Sequence, residues 1–154
     1  MTASLAPYNR RTYDEGGTRE LFSRVAQCEA ELGKACEVLP RVDEEGHSEC
    51  TFYEELYQRA EAWSDELIEQ VKQLREHEAG ARAAAEHSDV LQSESMMDDD
   101  PRHTDDWRQH ERDSHAHREM AQQIRQRLGE AEKTLRGAAR TAGQRSGVPR
   151  RIRM

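Results

Sequence analysis

The sequence has few cysteines and no long apolar segment. Its three cysteines, Cys28, Cys36 and Cys50, form no C-x-x-C pair, and their odd number leaves one thiol over in any disulfide scheme. Reduced thiols are typical of intracellular proteins, so we predict a cytoplasmic or nuclear protein. The N-terminus carries no apolar stretch of the kind found in secretion signals, and no run approaches the roughly 18 apolar residues of a membrane span. We therefore expect a soluble protein that makes no membrane contact.

The sequence also lacks the common catalytic motifs. A glycine-rich phosphate loop, a nucleophile elbow and a kinase signature are all absent. His110 and Glu111 resemble the start of the zinc-protease motif H-E-x-x-H, but Ser114 stands where the second histidine belongs. The protease interpretation therefore fails.

A second partial motif lies at residues 98–100, where three aspartates resemble the start of a calcium loop. Such a loop needs a glycine at its sixth position and a bidentate glutamate at its twelfth, and here these are His103 and Gln109. The calcium interpretation fails as well. We expect a protein that is not an enzyme and needs no cofactor.

Apolar residues make up only 34% of the chain, charged residues make up 35%, and the mean hydropathy is −1.09. This composition is typical of solvated helices that share a thin core, with one apolar stripe on each helix. A small chain with a thin core often depends on a second copy or a partner for its stability.

The apolar residues recur every three and four positions, which is the spacing required of helices that wrap around a neighbour. We predict an all-α fold, a three-helix antiparallel bundle of coiled-coil type with a long hairpin formed by helices two and three. The three stripes are Thr18, Leu21, Val25, Cys28, Leu32, Ala35 and Leu39; Tyr53, Leu56, Ala60, Trp63, Leu67, Gln70, Leu74, His77, Ala81, Ala84, Ser88 and Leu91; and Trp107, His110, Ser114, His117, Ala121, Ile124, Leu128, Ala131, Leu135, Ala138 and Ala142.

The boundaries of the helices follow from turn and capping residues. Pro40 is expected to end the first helix, and Thr51 followed by Glu54 forms a capping box for the second. We predict an irregular N-terminal arm over 1–17 that ends in two glycines, and a helical bundle over 18–142. A basic C-terminal tail follows over 143–154. The expected helices span 18–39, 51–91 and 104–142.

A hairpin turning near residue 97 places Trp63 opposite Ala131 and His77 opposite His117, with Trp107 near Ser88. The first helix would cover only the first half of the second helix. We therefore expect a thin two-helix stalk at 74–91 and 107–121. The N-terminal arm, through Leu5, Tyr8 and Tyr13, or another chain could cover this stalk.

Two histidines and a carboxylate of the stalk could bind a transition metal. His77 and His117 face each other in the predicted hairpin, and Asp113 precedes His117 by one helical turn. The alternative is a polar layer that fixes the register of the helices and binds no metal. We favour the polar layer.

Charge is divided unevenly along the chain. After residue 135 there are six arginines and no acidic residue, so this segment carries +6 and the preceding residues carry −14. A basic tail on an acidic body can bind an acidic protein surface or phosphate. The tail has no aromatic residues for base stacking, which disfavours sequence-specific binding of nucleic acid.

We therefore expect a non-enzymatic helical interaction or scaffold subunit that associates with a protein partner or with itself. The alternatives are a nucleic-acid accessory acting through its basic tail and a metal-binding bundle. Exposed methionines adapt well to partner surfaces. The candidate partner-binding residues are Leu91, Met96, Met97, Trp107, Arg145, Arg150, Arg151 and Arg153.

Overall fold

A computed structural model of the chain describes residues 13–44, 51–97, 100, 102 and 106–145, with helical side chains at 13–38, 54–97 and 106–141. It contains three α-helices: α1 (Glu15–Glu44), α2 (Thr51–Met96) and α3 (Asp106–Arg145). No strand occurs in the described part of the chain, and α2 and α3 pack closely. The prediction of an all-α helical bundle is confirmed.

Helix α1 begins earlier than the sequence predicts because Asp14 caps it. The Asp14 carboxylate accepts a hydrogen bond of 2.6 Å from the backbone N–H of Gly17, and its carbonyl accepts one of 3.0 Å from Thr18. A side-chain oxygen that satisfies an early amide is the usual N-cap. Gly16 and Gly17 therefore lie in the first turn of α1, and the prediction that they separate an irregular arm from the helix is wrong.

The C-terminal ends of all three helices lie beyond the predicted bounds, whereas α2 begins at Thr51 as predicted and α3 begins two residues later than predicted. Pro40 lies inside α1, which continues to Glu44, so the prediction that Pro40 ends this helix is wrong. A proline removes only one backbone donor, and a helix can continue past it. Helix α2 runs on to Met96, and α3 begins at Asp106. The reversal of the chain therefore lies after residue 96 and is not centred on residue 97 as expected.

The chain is divided into two compact units. Unit 1 combines the residues up to 19 with residues 74–126, and unit 2 combines residues 20–73 with those from 127 onward.

In unit 2, segments of all three helices form the core. Leu21, Val25 and Leu32 of α1 are fully buried, as is Leu67 of α2. Because α2 has a neighbour on two sides here, adjacent residues such as Leu56 and Tyr57 are both buried, which widens its apolar stripe. The α3 segment contributes Leu128, Ala131, Leu135 and Ala138. The expectation that a third helix packs against the first half of α2 is confirmed.

The core of unit 2 differs from the prediction at Trp63, which is only half-buried, whereas Ser64 is fully buried. A wide stripe can use either of two adjacent positions, and at this level the smaller side chain lies inside. Trp63 borders a groove with residues of α1, including Cys28, so full burial opposite Ala131 is not observed.

Unit 1 has a core of small side chains. Ala81, Ala83, Ala84 and Ala85 are all buried on α2, together with Met120, Ala121 and Ile124 of α3 and Leu74. Alanines on so many neighbouring positions allow the surrounding segments to approach α2 closely. Tyr13, the residue before the α1 cap, supplies a large ring that is buried against this surface, and it is 5% exposed.

The register of α2 and α3 within unit 1 also differs from the prediction. The Oγ of Ser114 donates a hydrogen bond of 2.6 Å to the Asp89 carboxylate. In the predicted register, Ser114 would face Ala81, about two helical turns from Asp89. The later reversal of the chain, between Met96 and Asp106, accounts for the difference.

Candidate functional site

Two histidines of unit 1 are held by hydroxyl groups from the start of the described chain. The Tyr13 hydroxyl is hydrogen-bonded to Nδ1 of His117 at 3.2 Å, and the Thr18 hydroxyl to Nδ1 of His77 at 2.9 Å. The Tyr13 ring also meets the His117 imidazole edge-on, with centroids 5.6 Å apart and planes at 74°. The structure therefore shows two separate polar pairs in unit 1, and the hydroxyl partners come from α1 and the residue preceding its cap. The predicted facing of His77 and His117 does not fit the register set by Ser114 and Asp89.

The burial of Tyr13 confirms that the N-terminal segment covers part of the predicted stalk. Leu5 and Tyr8, the other residues expected to cover it, lie outside the described residues. Sequence periodicity could not locate Tyr13, because a single residue before a helix has no repeat. The sequence signal that could have indicated this contact is Gly80 of α2, because a glycine lets a neighbouring residue approach closely. Tyr13 packs against Gly80.

The side chain of His117 is partly buried and therefore partly shielded from water. Burial lowers the pKa of His117 below its usual 6.5, and the nearby Asp113 carboxylate opposes that shift by favouring the charged imidazole. A neutral imidazole can be bound by a phenol without a buried charge. This arrangement stabilises the packing of Tyr13 at neutral pH.

The structure does not bring the two histidines and Asp113 together as a group of metal ligands. Across the described ranges, no group of three His, Cys, Asp or Glu side chains is placed to hold a metal ion. Asp113 instead accepts a hydrogen bond of 2.9 Å from Gln109 on its own helix. In this arrangement hydroxyls and an amide engage these groups. A metal site at His77, Asp113 and His117 stays an alternative prediction.

A cavity of 410 Å³ adjoins the Tyr13–His117 pair in unit 1. Tyr13, Arg19 and Met120 border it, together with His117. Arg19 is ion-paired with Glu15 across 2.9 Å at its rim, and both side chains are largely exposed.

A three-residue polar network links α2 and α3 in unit 1. Ser114 donates to Asp89, and Arg118 forms an ion pair with the same carboxylate while also contacting the Ser114 hydroxyl. The hydrogen bond from Arg118 is the main reason that the pKa of Asp89 is lowered. Ser114 was predicted as a stripe residue, but its pairing with Asp89 was missed because the predicted register was wrong.

A largely buried ion pair links α1 and α3 in unit 2. Arg127 binds the Glu29 carboxylate, and Thr134 donates to the same carboxylate at 3.2 Å. Both charged side chains are less than one-fifth exposed. Glu29 is the main reason that the pKa of Arg127 is raised. Such a pair fixes the register of two helices, and breaking it leaves an uncompensated charge.

Two of the predicted partner-binding residues, Met96 and Met97, are exposed at the end of α2. Val90, Met96 and Met97 are 41%, 64% and 83% exposed, and they are the exposed large apolar side chains of the described residues. Leu91 and Trp107 are half-buried, and the Arg108 guanidinium lies 5.3 Å from the Trp107 ring centre. The structure therefore places the exposed apolar residues within eight positions at the end of one helix.

The basic residues predicted to bind partners cannot be placed. Arg150, Arg151 and Arg153 lie outside the described residues, and Arg145 is described only as the last residue of α3. Their expected role stays a prediction.

No helix in the described part of the chain combines the length and apolar character needed to span a membrane. Comparisons of the chain with protein-family models, curated proteins and solved structures return no match. What the chain does must therefore be inferred from its own residues.

Proposed function

We propose that this chain is a non-enzymatic helical subunit that binds a protein partner through the end of α2. The contact surface, called here the α2-end surface, comprises Val90, Met96 and Met97. It also includes Leu91, which follows Val90 in the sequence, and Trp107 at the start of α3. The observation that carries the proposal is the concentration of the large exposed apolar side chains at this one place.

Exposed apolar groups on a polar molecule point to a contact. Scattered single apolar residues are normal on any surface, but a group of them on a chain of mean hydropathy −1.09 is unusual. Met97 exposes 83% of its surface to water, and covering it would release ordered hydration. Methionine also adapts its shape to different apolar partners at low cost.

The aromatic residue next to this surface supports the same function. Trp107 is half-buried, so its ring can contribute to a contact without first being exposed. Tryptophan and arginine are the residue types that often dominate the energy of protein interfaces. The Arg108 guanidinium lies over the Trp107 ring, so both types are present at this place.

The test compares partner retention by matched variants. The Met96→Ser, Met97→Ser double variant removes most of the exposed apolar area, whereas Gln92→Ala, Ser93→Ala changes two neighbouring polar residues of α2. The expected result is that one stoichiometric partner, purified and recombined with the chain, binds wild type and the control alike. It should bind the methionine variant at least about tenfold more weakly, since the lost apolar burial is worth more than 1.4 kcal/mol.

Equal binding by both variants would show that the partner contacts another part of the chain. A change in molar mass of the chain alone, seen by light scattering and abolished by the methionine variant, would identify the partner as a second copy.

A further inference from the structure

A groove in unit 2 contains a buried hydrogen-bond acceptor that has no partner among the described residues. It lies between α1 and α2, has a volume of 390 Å³, and is bordered by Arg24 and Cys28 on α1 and by Trp63, Glu66 and Gln70 on α2. The half-buried Trp63 ring supplies the largest apolar face of this groove. A groove that combines an aromatic face with a carboxylate suits a cationic group.

The side-chain amide of Gln70 determines which kind of hydrogen-bonding group an occupant of the groove must supply. The Gln70 side chain is 4% exposed, and its amide nitrogen donates a hydrogen bond of 2.9 Å to the Glu66 carboxylate. Because only the nitrogen can donate to a carboxylate, this bond fixes the orientation of the amide. The buried Oε1 of Gln70 then has no partner among the described residues. A buried acceptor without a partner is unfavourable, and an occupant with N–H groups would satisfy it.

The walls of the groove belong to acidic helix segments. In residues 20–44 and 51–73 there are twelve acidic and five basic residues. The nine residues after Arg145 contain Arg150, Arg151 and Arg153 and no acidic residue. The charges of these two parts of the chain are therefore complementary.

The length of the tail is sufficient to reach the groove. Helices joined by short connections run alternately up and down, so the unit 2 segment of α3 runs in the direction of α1, as the contacts of Glu29 with Arg127 and Thr134 allow. From Cys28 to the end of α1 is about 24 Å at 1.5 Å per residue. Nine extended residues span about 30 Å. A tail that folds back along unit 2 can therefore place its last arginines beside Trp63.

We infer that the C-terminal tail, residues 146–154, occupies the α1–α2 groove of its own chain, with an arginine guanidinium against the Trp63 ring. The guanidinium donates to Oε1 of Gln70 and to the Glu66 carboxylate. Arginine fits this place better than lysine because its planar group can stack on an indole ring while donating to two acceptors at its edge.

The test uses tryptophan quenching by acrylamide. In a Trp107→Phe background, Trp63 is the sole tryptophan. Chain termination after Arg145, and separately the full-length variant Arg150→Ser, Arg151→Ser, Arg153→Ser, should each raise the quenching constant of Trp63 about twofold, as expected when a ring face loses its guanidinium cover. A synthetic peptide of residues 146–154 should restore the protection of the truncated chain, and its arginine-to-serine counterpart should not.

The matched control is a Trp63→Phe background, in which Trp107 reports on unit 1. The quenching of Trp107 should be the same with and without the tail. If truncation lowers helicity, the full-length serine variant decides the result. Unchanged quenching of Trp63 in both variants would overturn the inference. Protection that disappears on dilution of the full-length chain would overturn it too, since the tail would then belong to a second copy.

Discussion

Tyr13 and Gly80 approach so closely that a methyl group on Gly80 would lie 2.6 Å from Cβ of Tyr13. Real side chains do not make such short contacts, so the packing of the N-terminal segment on α2 requires a glycine at this position. This contact places the Tyr13 hydroxyl within reach of His117.

Gly80→Ala should therefore lower the stability of the chain although alanine favours helix by about 1 kcal/mol over glycine. The added methyl group displaces the Tyr13 ring and breaks its bond to His117. Gly129→Ala is the matched control, because nothing lies within 4 Å of its added methyl group. Thermal unfolding followed by circular dichroism should show a lower Tm for Gly80→Ala and a higher Tm for Gly129→Ala. A higher Tm for both would mean that Tyr13 does not pack on Gly80.

Stability should fall as the pH drops from 7.5 to 5.5. The pKa of His117 is lowered in the folded chain, so the unfolded chain, with its value near 6.5, takes up the proton first. The contribution of the neutral imidazole is therefore complete above the unfolded pKa and is lost as the pH falls towards the folded one. The measurement is the Tm at each pH for wild type and for His117→Gln, whose side chain cannot be protonated in this range. The same slope in both chains would show that His117 is not responsible.

Ser114→Ala should destabilise the chain by about 1–2 kcal/mol, because the buried hydroxyl bonds to Asp89 across two helices. The exposed Ser93 of α2 provides the control, and Ser93→Ala should stay within about 0.5 kcal/mol of wild type. Urea unfolding gives both values. A loss for Ser114→Ala no larger than that for the control would indicate that Ser114 and Asp89 do not meet in solution.

Removal of metal should leave the Tm unchanged. His77 and His117 are bound by hydroxyl groups, and the two do not form a three-ligand group with Asp113. Dialysis against a chelator, followed by thermal unfolding with and without added zinc, checks this expectation. A rise in Tm with zinc that the His77→Ala, His117→Ala variant lacks would restore the metal site.

The repeat of apolar residues predicted the helices because each helix needs one continuous buried stripe. Leu67, Leu128 and Ile124 lie where the spacing puts them, and all are buried. The spacing does not specify register, since an antiparallel pair can slide by a heptad and still bury both stripes. The pairing of Ser114 with Asp89 therefore emerged only from the structure.

The remaining features of the candidate site depend on single residues. Asp14 caps α1 through one side chain, and Tyr13 packs through one close contact with Gly80. Neither arrangement repeats along the chain, so periodicity could not reveal them. Met96 and Met97, which the sequence offered as candidate contact residues, are exposed in the structure and follow the last stripe residue, Leu91.

The most direct test of the proposed function is site-specific photo-crosslinking in the native host. A photoreactive amino acid replaces Met97 at the end of α2, and a control chain carries it at Lys133, an exposed residue of α3 in unit 2. If the α2-end surface binds a partner, irradiation should produce one discrete crosslinked protein from position 97 and none from position 133. A discrete product from position 133 alone, or none from either position, would contradict the proposal that this chain binds its partner through the end of α2.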